Sequence, residues 1–318
     1  MNRRIFLSSL VPALSLSCSR SKQTVIGVAP KGVNSIFWQL VQAGALAAGR
    51  QYDVEILWNG PPQETEYARQ IQIIESMINQ RVAGIAISPS DQTALVGVIE
   101  RAAAVGIPVT VFDSGIDTDN YVSFVATDNH AAGVLAAETV NELLGGEGKI
   151  ALVKHVPGSD STSRREIGFE AALKEKFTGL QIVSQQYCMS DRARAMTVAE
   201  DMMTAHPELN AIFCSSEAAT VGAAQAVRAR GMAGKIKLVG FDASPSLQKN
   251  LREGVIDALI VQDPFNMGFL GVETLVKKLA GETPPKHIDS PSRVVRAGDL
   301  DTAEVQRLLS PDLERHLK

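Results

Sequence analysis

Val111-Phe112-Asp113-Ser114 and Gly240-Phe241-Asp242-Ala243 are the two stretches whose reading decides the fold. Each closes a β-rich run with an aromatic residue followed by Asp, and each is the fourth such run in its half of the chain. Around them, from Thr24 onward, short β-rich runs alternate with longer stretches whose apolar residues recur at three and four positions. That alternation is the βαβα rhythm of parallel sheets. In the first half the runs fall at 25–29, 54–58, 84–88 and 109–112, separated by helices such as the one carrying Tyr67, Ile71, Ile74 and Ile78. After 121–127 the rhythm restarts, with runs at 149–155, 181–187, 211–215 and 236–241.

The expected fold is therefore α/β, with two Rossmann-like lobes built on parallel sheets. In open parallel sheets ligands bind just beyond the carboxyl ends of the strands, so two facing lobes would aim Asp113 and Asp242 into one cleft. The competing reading is that each Asp merely caps the following helix or turn. The tail adds a strand at 258–262 and a helix at 266–280, which neither half absorbs simply. A chain that crosses between lobes near Thr127, near Gln262 and near Pro291 gives three parallel connections, which is a hinge. The predicted organisation is a signal peptide and lipoprotein tether at 1–23, a first lobe of 24–126 plus 263–291, and a second lobe of 127–262 plus 292–318.

With 318 residues, 45% hydrophobic and 21% charged, the chain is long enough for two such domains. Its net charge of −4, from 31 basic and 35 acidic residues without long runs, gives no electrostatic reason to bind nucleic acid or an anionic lipid surface. The N-terminus differs in character: Arg3 and Arg4 precede an apolar run at 5–16, and small residues lead to Cys18. This is the pattern of an export signal. The run is about a dozen residues, short of the roughly 20 that span a bilayer, so membrane attachment is expected only through a lipid on Cys18. Residues 14–18, Leu-Ser-Leu-Ser-Cys, resemble a lipoprotein box with Ser15 where Leu is usual, and residues 2–7 resemble a twin-arginine motif. Cys188 and Cys214, in two apparent strands of one sheet, read as buried packing residues rather than as a disulfide.

Two Asp residues across a cleft are also what a glycosidase uses. However, the sequence has no Gly-x-Ser-x-Gly, His-Glu-x-x-His, Walker A or dinucleotide fingerprint, and its five His residues lack metal spacing. Binding without catalysis is expected, with no cofactor and no metal.

Residues 239–245 (Val-Gly-Phe-Asp-Ala-Ser-Pro), 125–129 (Val-Ala-Thr-Asp-Asn), 204–207 (Thr-Ala-His-Pro) and 261–264 (Val-Gln-Asp-Pro) resemble the type I periplasmic sugar-binding proteins. The resemblance covers nearly everything after Thr24. Lactose-type repressors share that core but carry an N-terminal helix-turn-helix, where this chain has its signal. The resemblance implies a periplasmic or otherwise extracytoplasmic solute-binding protein that is lipid-anchored and monomeric. It would deliver a sugar-like ligand to the permease of an ABC transporter. A sensory protein whose closed form is read by a membrane receptor or kinase is the alternative.

By position, the resemblance puts ligand contacts at Phe37, Ser88, Asp113, Arg165, Ser216, Asp242 and Gln262. Aromatic faces suit the C–H face of a sugar ring, and carboxylates and Arg suit its hydroxyls. Ribose binders show Asn at Ser88 and Ser216, Arg at Ser114 and an aromatic near Ser190, so a roomier pocket or another shape is expected here. Lys31 and Asp113, with Phe37 and Trp38, are similar to the autoinducer-2-binding branch, which departs at Ser163-Arg164-Arg165. Lys31 and Arg165 beside Asp113 and Asp242 would also admit a sugar acid. Three roles stay open for Lys31: neutralising Asp113, receiving a ligand carboxylate, or pointing to solvent. Trp38 is either a stacking platform or core. Glu217 is either a contact or, preferably, the cap of the next helix, and Asp128 and Asn129 are expected to cap a helix near the hinge.

Overall fold

The computed structural model describes residues 23–309 and residue 317, so the export signal and Cys18 lie outside the described residues. The first lobe opens with β1 (Val25–Ala29), α1 (Ile36–Tyr52), β2 (Glu55–Trp58), α2 (Tyr67–Asn79) and β3 (Gly84–Ile87). It continues with α3 (Val96–Ala104), β4 (Val109–Phe112) and β5 (Phe124–Ala126). The chain then crosses to α4 (Asn129–Leu144), β6 (Gly148–Lys154), α5 (Asp160–Glu175), β7 (Leu180–Tyr187) and α6 (Arg192–Ala205). The second lobe is extended by β8 (Ala211–Cys214), α7 (Glu217–Ala229), β9 (Lys237–Phe241), α8 (Pro245–Arg252) and β10 (Ala258–Val261). A second crossing returns α9 (Pro264–Leu279) and β11 (His287–Asp289) to the first lobe, and a third carries β12 (Arg293–Val295) and α10 (Ala303–Leu309) back.

Two six-stranded sheets result, in the orders β2-β1-β3-β4-β5-β11 and β7-β6-β8-β9-β10-β12. All pairings are parallel except β10 with β12, which is antiparallel. Strands covered on both faces should read as unbroken apolar runs rather than alternate. That is what Gly84–Ile87, Ala211–Cys214 and Ala258–Val261 are, and all of their residues are buried. Each sheet separates two apolar clusters, one on each face. The second lobe is packed by Phe169, Phe213 and Phe241, each fully buried and each contributing roughly 1.5–3 kcal/mol by burial.

Helix pairing across each first strand fixes what the cleft contains. Where α4 meets α5, a Cβ on Gly133 would stand 2.0 Å from the Arg165 carbonyl oxygen, so only glycine lets the backbones approach this closely. This contact seats the turn of α5 from which Arg165 reaches the cleft. In both lobes the strand order reverses beside the first strand, so the loops after β1, β3, β4, β6, β8 and β9 converge where a ligand would bind.

Candidate functional site

Asp113 and Asp242 occupy equivalent places. Each sits just past the end of its strand with φ of 62° and 65° respectively, a left-handed conformation that Asp tolerates better than most residues. Each also gives its backbone N–H to the next strand, Asp113 to Val125 O (2.9 Å) and Asp242 to Ile260 O (2.8 Å). The turn aims both carboxylates into the cleft. Neither caps a helix: the cap of α8 is Ser244, whose hydroxyl accepts from Leu247 N.

Between the lobes lies a cavity of about 330 Å³, whose walls include Lys31, Phe37, Trp38, Asp113, Arg165, Ser216, Asp242 and Gln262. Ser88 does not line it. Fully buried behind Asp113, it donates from Oγ to Asp113 Oδ2 (2.7 Å) and so fixes that carboxylate from below. Ser216 lines the cavity while capping α7, and its neighbour Glu217, expected to be the cap, instead pairs with Arg192 at 2.9 Å on the cavity wall. Burial pushes the Glu217 carboxyl up, with Arg192 opposing it. Asp128 caps α4, but Asn129 does not; its Oδ1 accepts from Arg165 Nε (2.8 Å). Cys214 lies in β8 and Cys188 just beyond β7, both buried with free thiols.

Lys31 is 3% exposed, and its ammonium has three donors. Ser159 Oγ (3.0 Å) and Ser161 Oγ (2.9 Å) accept from it, and Asp113 Oδ2 stands 3.1 Å away. Its hydrogen-bonding capacity is filled by the protein itself. Arg165, also buried, donates from Nη1 to Ser215 O (3.1 Å) and from Nη2 to Gln262 Oε1 (2.9 Å), and lies 4.0 Å over the Phe241 ring. With Nε on Asn129, three of the five guanidinium N–H groups are engaged and two remain. Gln262 Nε2 donates to Asp242 Oδ1 (2.6 Å); among the described residues Asp242 Oδ2 has no partner. Burial raises the Asp242 carboxyl above its ordinary range, against the pull of the Arg165 charge and the Gln262 hydrogen bond.

One wall is aromatic. Phe37 and Trp38 meet edge to face at 4.9 Å, and Trp38 Nε1 donates to Glu64 Oε1 (2.9 Å). Trp38 thus serves both readings, buried at 3% yet lining the cavity. Glu64 Oε2 also meets His155 Nε2 at 3.0 Å across the cleft. Sequence reasoning singled out none of Glu64, His155, Ser159 and Ser161. The repeat held a signal for one of them, because His155 follows the first strand of its lobe as the Lys31 loop follows β1. Glu64, in a proline-flanked loop past an edge strand, carried no such mark. Among the described residues no cluster of three or more His, Cys, Asp or Glu is placed to hold a metal ion.

Comparison with known proteins gives the family and matches the fold. Residues 26–283 match the model of a family described as periplasmic binding protein domain. The D-allose-binding periplasmic protein of Escherichia coli is 30% identical over 285 residues, covering 87% of this chain and 91% of that protein. An ABC transporter solute-binding protein from Agrobacterium vitis, solved with bound D-fucose, is 38% identical with a TM-score of 0.87, over 90% of this chain and 99% of the other. A carbohydrate transporter solute-binding protein from Agrobacterium radiobacter, in complex with D-arabinose, is 30% identical with a TM-score of 0.88, over 91% and 99%.

Proposed function

The chain belongs to the periplasmic binding protein family, and from that premise we propose that it is the solute-binding component of an ABC importer, capturing a neutral monosaccharide between its lobes. The observation that carries this reading is the pattern of occupied and free polar atoms in the cavity. Lys31 is filled by Asp113, Ser159 and Ser161, and Glu217 by Arg192, whereas Asp242 and Arg165 line the cavity and, among the described residues, Asp242 Oδ2 and two N–H groups of Arg165 have no hydrogen-bond partner. A free carboxylate oxygen beside free guanidinium donors suits a pair of hydroxyls, one donating to Asp242 and one accepting from Arg165. Phe37 and Trp38 supply an apolar wall for the C–H face of the ring.

Size and charge narrow the class further. About 330 Å³ is roughly the room of eleven waters at about 30 Å³ each, enough to enclose one pentose or hexose. A ligand carboxylate would find Lys31 already saturated and, even against Arg165, would share the cavity with the carboxylates of Asp113, Asp242 and Glu217. Relatives carrying D-allose, D-arabinose and D-fucose support the same class. Export, a lipid on Cys18 and transfer of the sugar to a membrane permease complete the proposal, with the protein acting as a monomer.

Thermal-shift titration with D-ribose, D-allose, D-arabinose and D-fucose tests this reading. A captured sugar at about a hundredfold excess over its dissociation constant adds about 2.7 kcal/mol of stability, and small-angle scattering should show compaction at the same concentration. No stabilisation by any member of a neutral monosaccharide panel, or stabilisation without compaction, would count against it.

A further inference from the structure

Six hydrogen bonds cross the cleft to one segment of the second lobe, residues 155–161. Gln92 N donates to Gly158 O (3.0 Å), Gly115 N to Asp160 Oδ2 (3.0 Å), and Ser161 N to Ser114 Oγ (3.1 Å). Lys31 supplies two more, to Ser159 and Ser161, and the sixth joins Glu64 to His155. Of these six, the last has a partner that ordinarily changes charge near neutral pH.

The geometry of that pair is specific. Glu64 holds Trp38 with one oxygen and His155 with the other, so its carboxylate ties the aromatic wall of the first lobe to the second. The His155 backbone is fixed independently, its N–H on Glu166 Oε1 (3.0 Å) and its carbonyl on Met189 N (2.8 Å). The imidazole Nδ1 is buried with no hydrogen bond of good geometry, Cys188 lying close to the ring, and Nε2 is held by Glu64. We propose that Glu64 and His155 are positioning residues forming a proton-linked latch between the lobes, so that ligand capture takes up a proton and weakens as the medium turns alkaline. This rests on the capture reading above.

The charged groups facing the pair come from several elements. Lys31 lies in the β1 loop, Glu166 on α5 and Cys188 past β7; across the cavity Arg165, Glu217 and Asp242 feel the Glu64 charge. Burial alone would push the His155 ring down, but neighbouring Cys188 and the Glu64 carboxylate outweigh it and raise the ring to about 9. Burial would push Glu64 up, but His155, Lys31 and Trp38 together hold it at about 2. Opening removes the Glu64 contribution and lowers His155 toward its ordinary value of about 6.5, while Cys188, in the same lobe, stays beside the ring. The closed form is therefore favoured most between the ordinary carboxylate range and about pH 6.5; the advantage is lost as pH rises through about 9, and again in acid as Glu64 is protonated.

The test is calorimetry of the whole protein with the neutral sugars named above, at about pH 6.5 and about pH 9.5, with scattering of the unliganded protein at both values. Affinity should fall several-fold between the two for wild type, with proton uptake visible as a dependence on buffer ionisation enthalpy near pH 8. Glu64→Gln and His155→Gln should both flatten the profile, a change that lost packing alone would not produce. A sugar bound equally well by wild type at both pH values overturns the latch and leaves capture standing. If none is bound, capture fails, and an unliganded radius of gyration that is the same at both pH values then overturns the latch as well.

Discussion

Replacing Asp113 with alanine is expected to weaken sugar binding by about two to three orders of magnitude while leaving the unliganded fold close to wild-type stability. The reason lies in where Lys31 is buried. Ser159 and Ser161, which cover its ammonium, belong to the opposite lobe, so Lys31 becomes a buried charge when the lobes close. Asp113, 3.1 Å away in its own lobe and held by Ser88, is the countercharge that makes this burial tolerable. Stranding a buried charge by removing its partner costs about 3–5 kcal/mol, and about 1.4 kcal/mol is a factor of ten in affinity. In the open protein the ammonium returns to water, so the cost falls on closing rather than on folding. Adding Lys31→Met to Asp113→Ala should restore part of the loss, because no unpaired charge remains to be buried. Calorimetry gives the affinity and urea unfolding without ligand gives the stability. An Asp113→Ala protein that binds like wild type would remove Asp113 from this role, and one that loses stability instead of affinity would place the cost on folding.

Arg165→Met should do the opposite, lowering the stability of the unliganded protein by about 3–5 kcal/mol as well as abolishing capture. Arg165 is 2% exposed, and its hydrogen-bond partners Asn129, Ser215 and Gln262 belong to the second lobe and to the crossings. It joins Asn129, just past the first crossing, to Gln262, at the second, and Thr127 Oγ1 in turn donates to Ser290 O (2.7 Å) at the third. The guanidinium therefore ties the hinge together with the lobe closed or open. Methionine fills much of the same volume but strands the Asn129, Ser215 and Gln262 acceptors and removes the positive charge that opposes the raising of Asp242. Arg165→Lys keeps the charge without the planar fork and should recover stability only in part. A melting temperature for Arg165→Met equal to that of wild type would show that the hinge does not depend on it.

Much of the fold was legible because the physics behind it is local and repeated. β1 and β4 fall where the β-rich runs predict them, and the other expected strands are displaced by no more than three residues at either end. β11 and β12 were not read, for a physical reason: each has three residues, and of the six only Val295 is buried, so neither shows the apolar run that marks a central strand. At the site, Asp113 and Asp242 could be placed because the repeat puts them at equivalent strand ends. The distinction between them could not, since it depends on which neighbours close over each: Lys31 and Ser88 on one, Gln262 alone on the other. The same limit hid the Glu64 contact with His155, which joins loops 91 positions apart in sequence and exists only where two lobes meet.

The cleft takes a neutral sugar because Lys31 is saturated by the protein and the two remaining N–H groups of Arg165 share the cavity with the Asp242 carboxylate. Calorimetric titration of the wild-type protein with D-fucose and D-galacturonate tests this most directly, since the two share a pyranose ring and differ at its exocyclic carbon, methyl against carboxylate. D-fucose is expected to bind and D-galacturonate to bind at least about a hundredfold more weakly, because a second carboxylate buried beside Asp242, with only the Arg165 charge to share between them, costs several kcal/mol. Tighter binding of D-galacturonate than of D-fucose would contradict this, and would mean that Lys31 leaves Asp113 to receive the ligand.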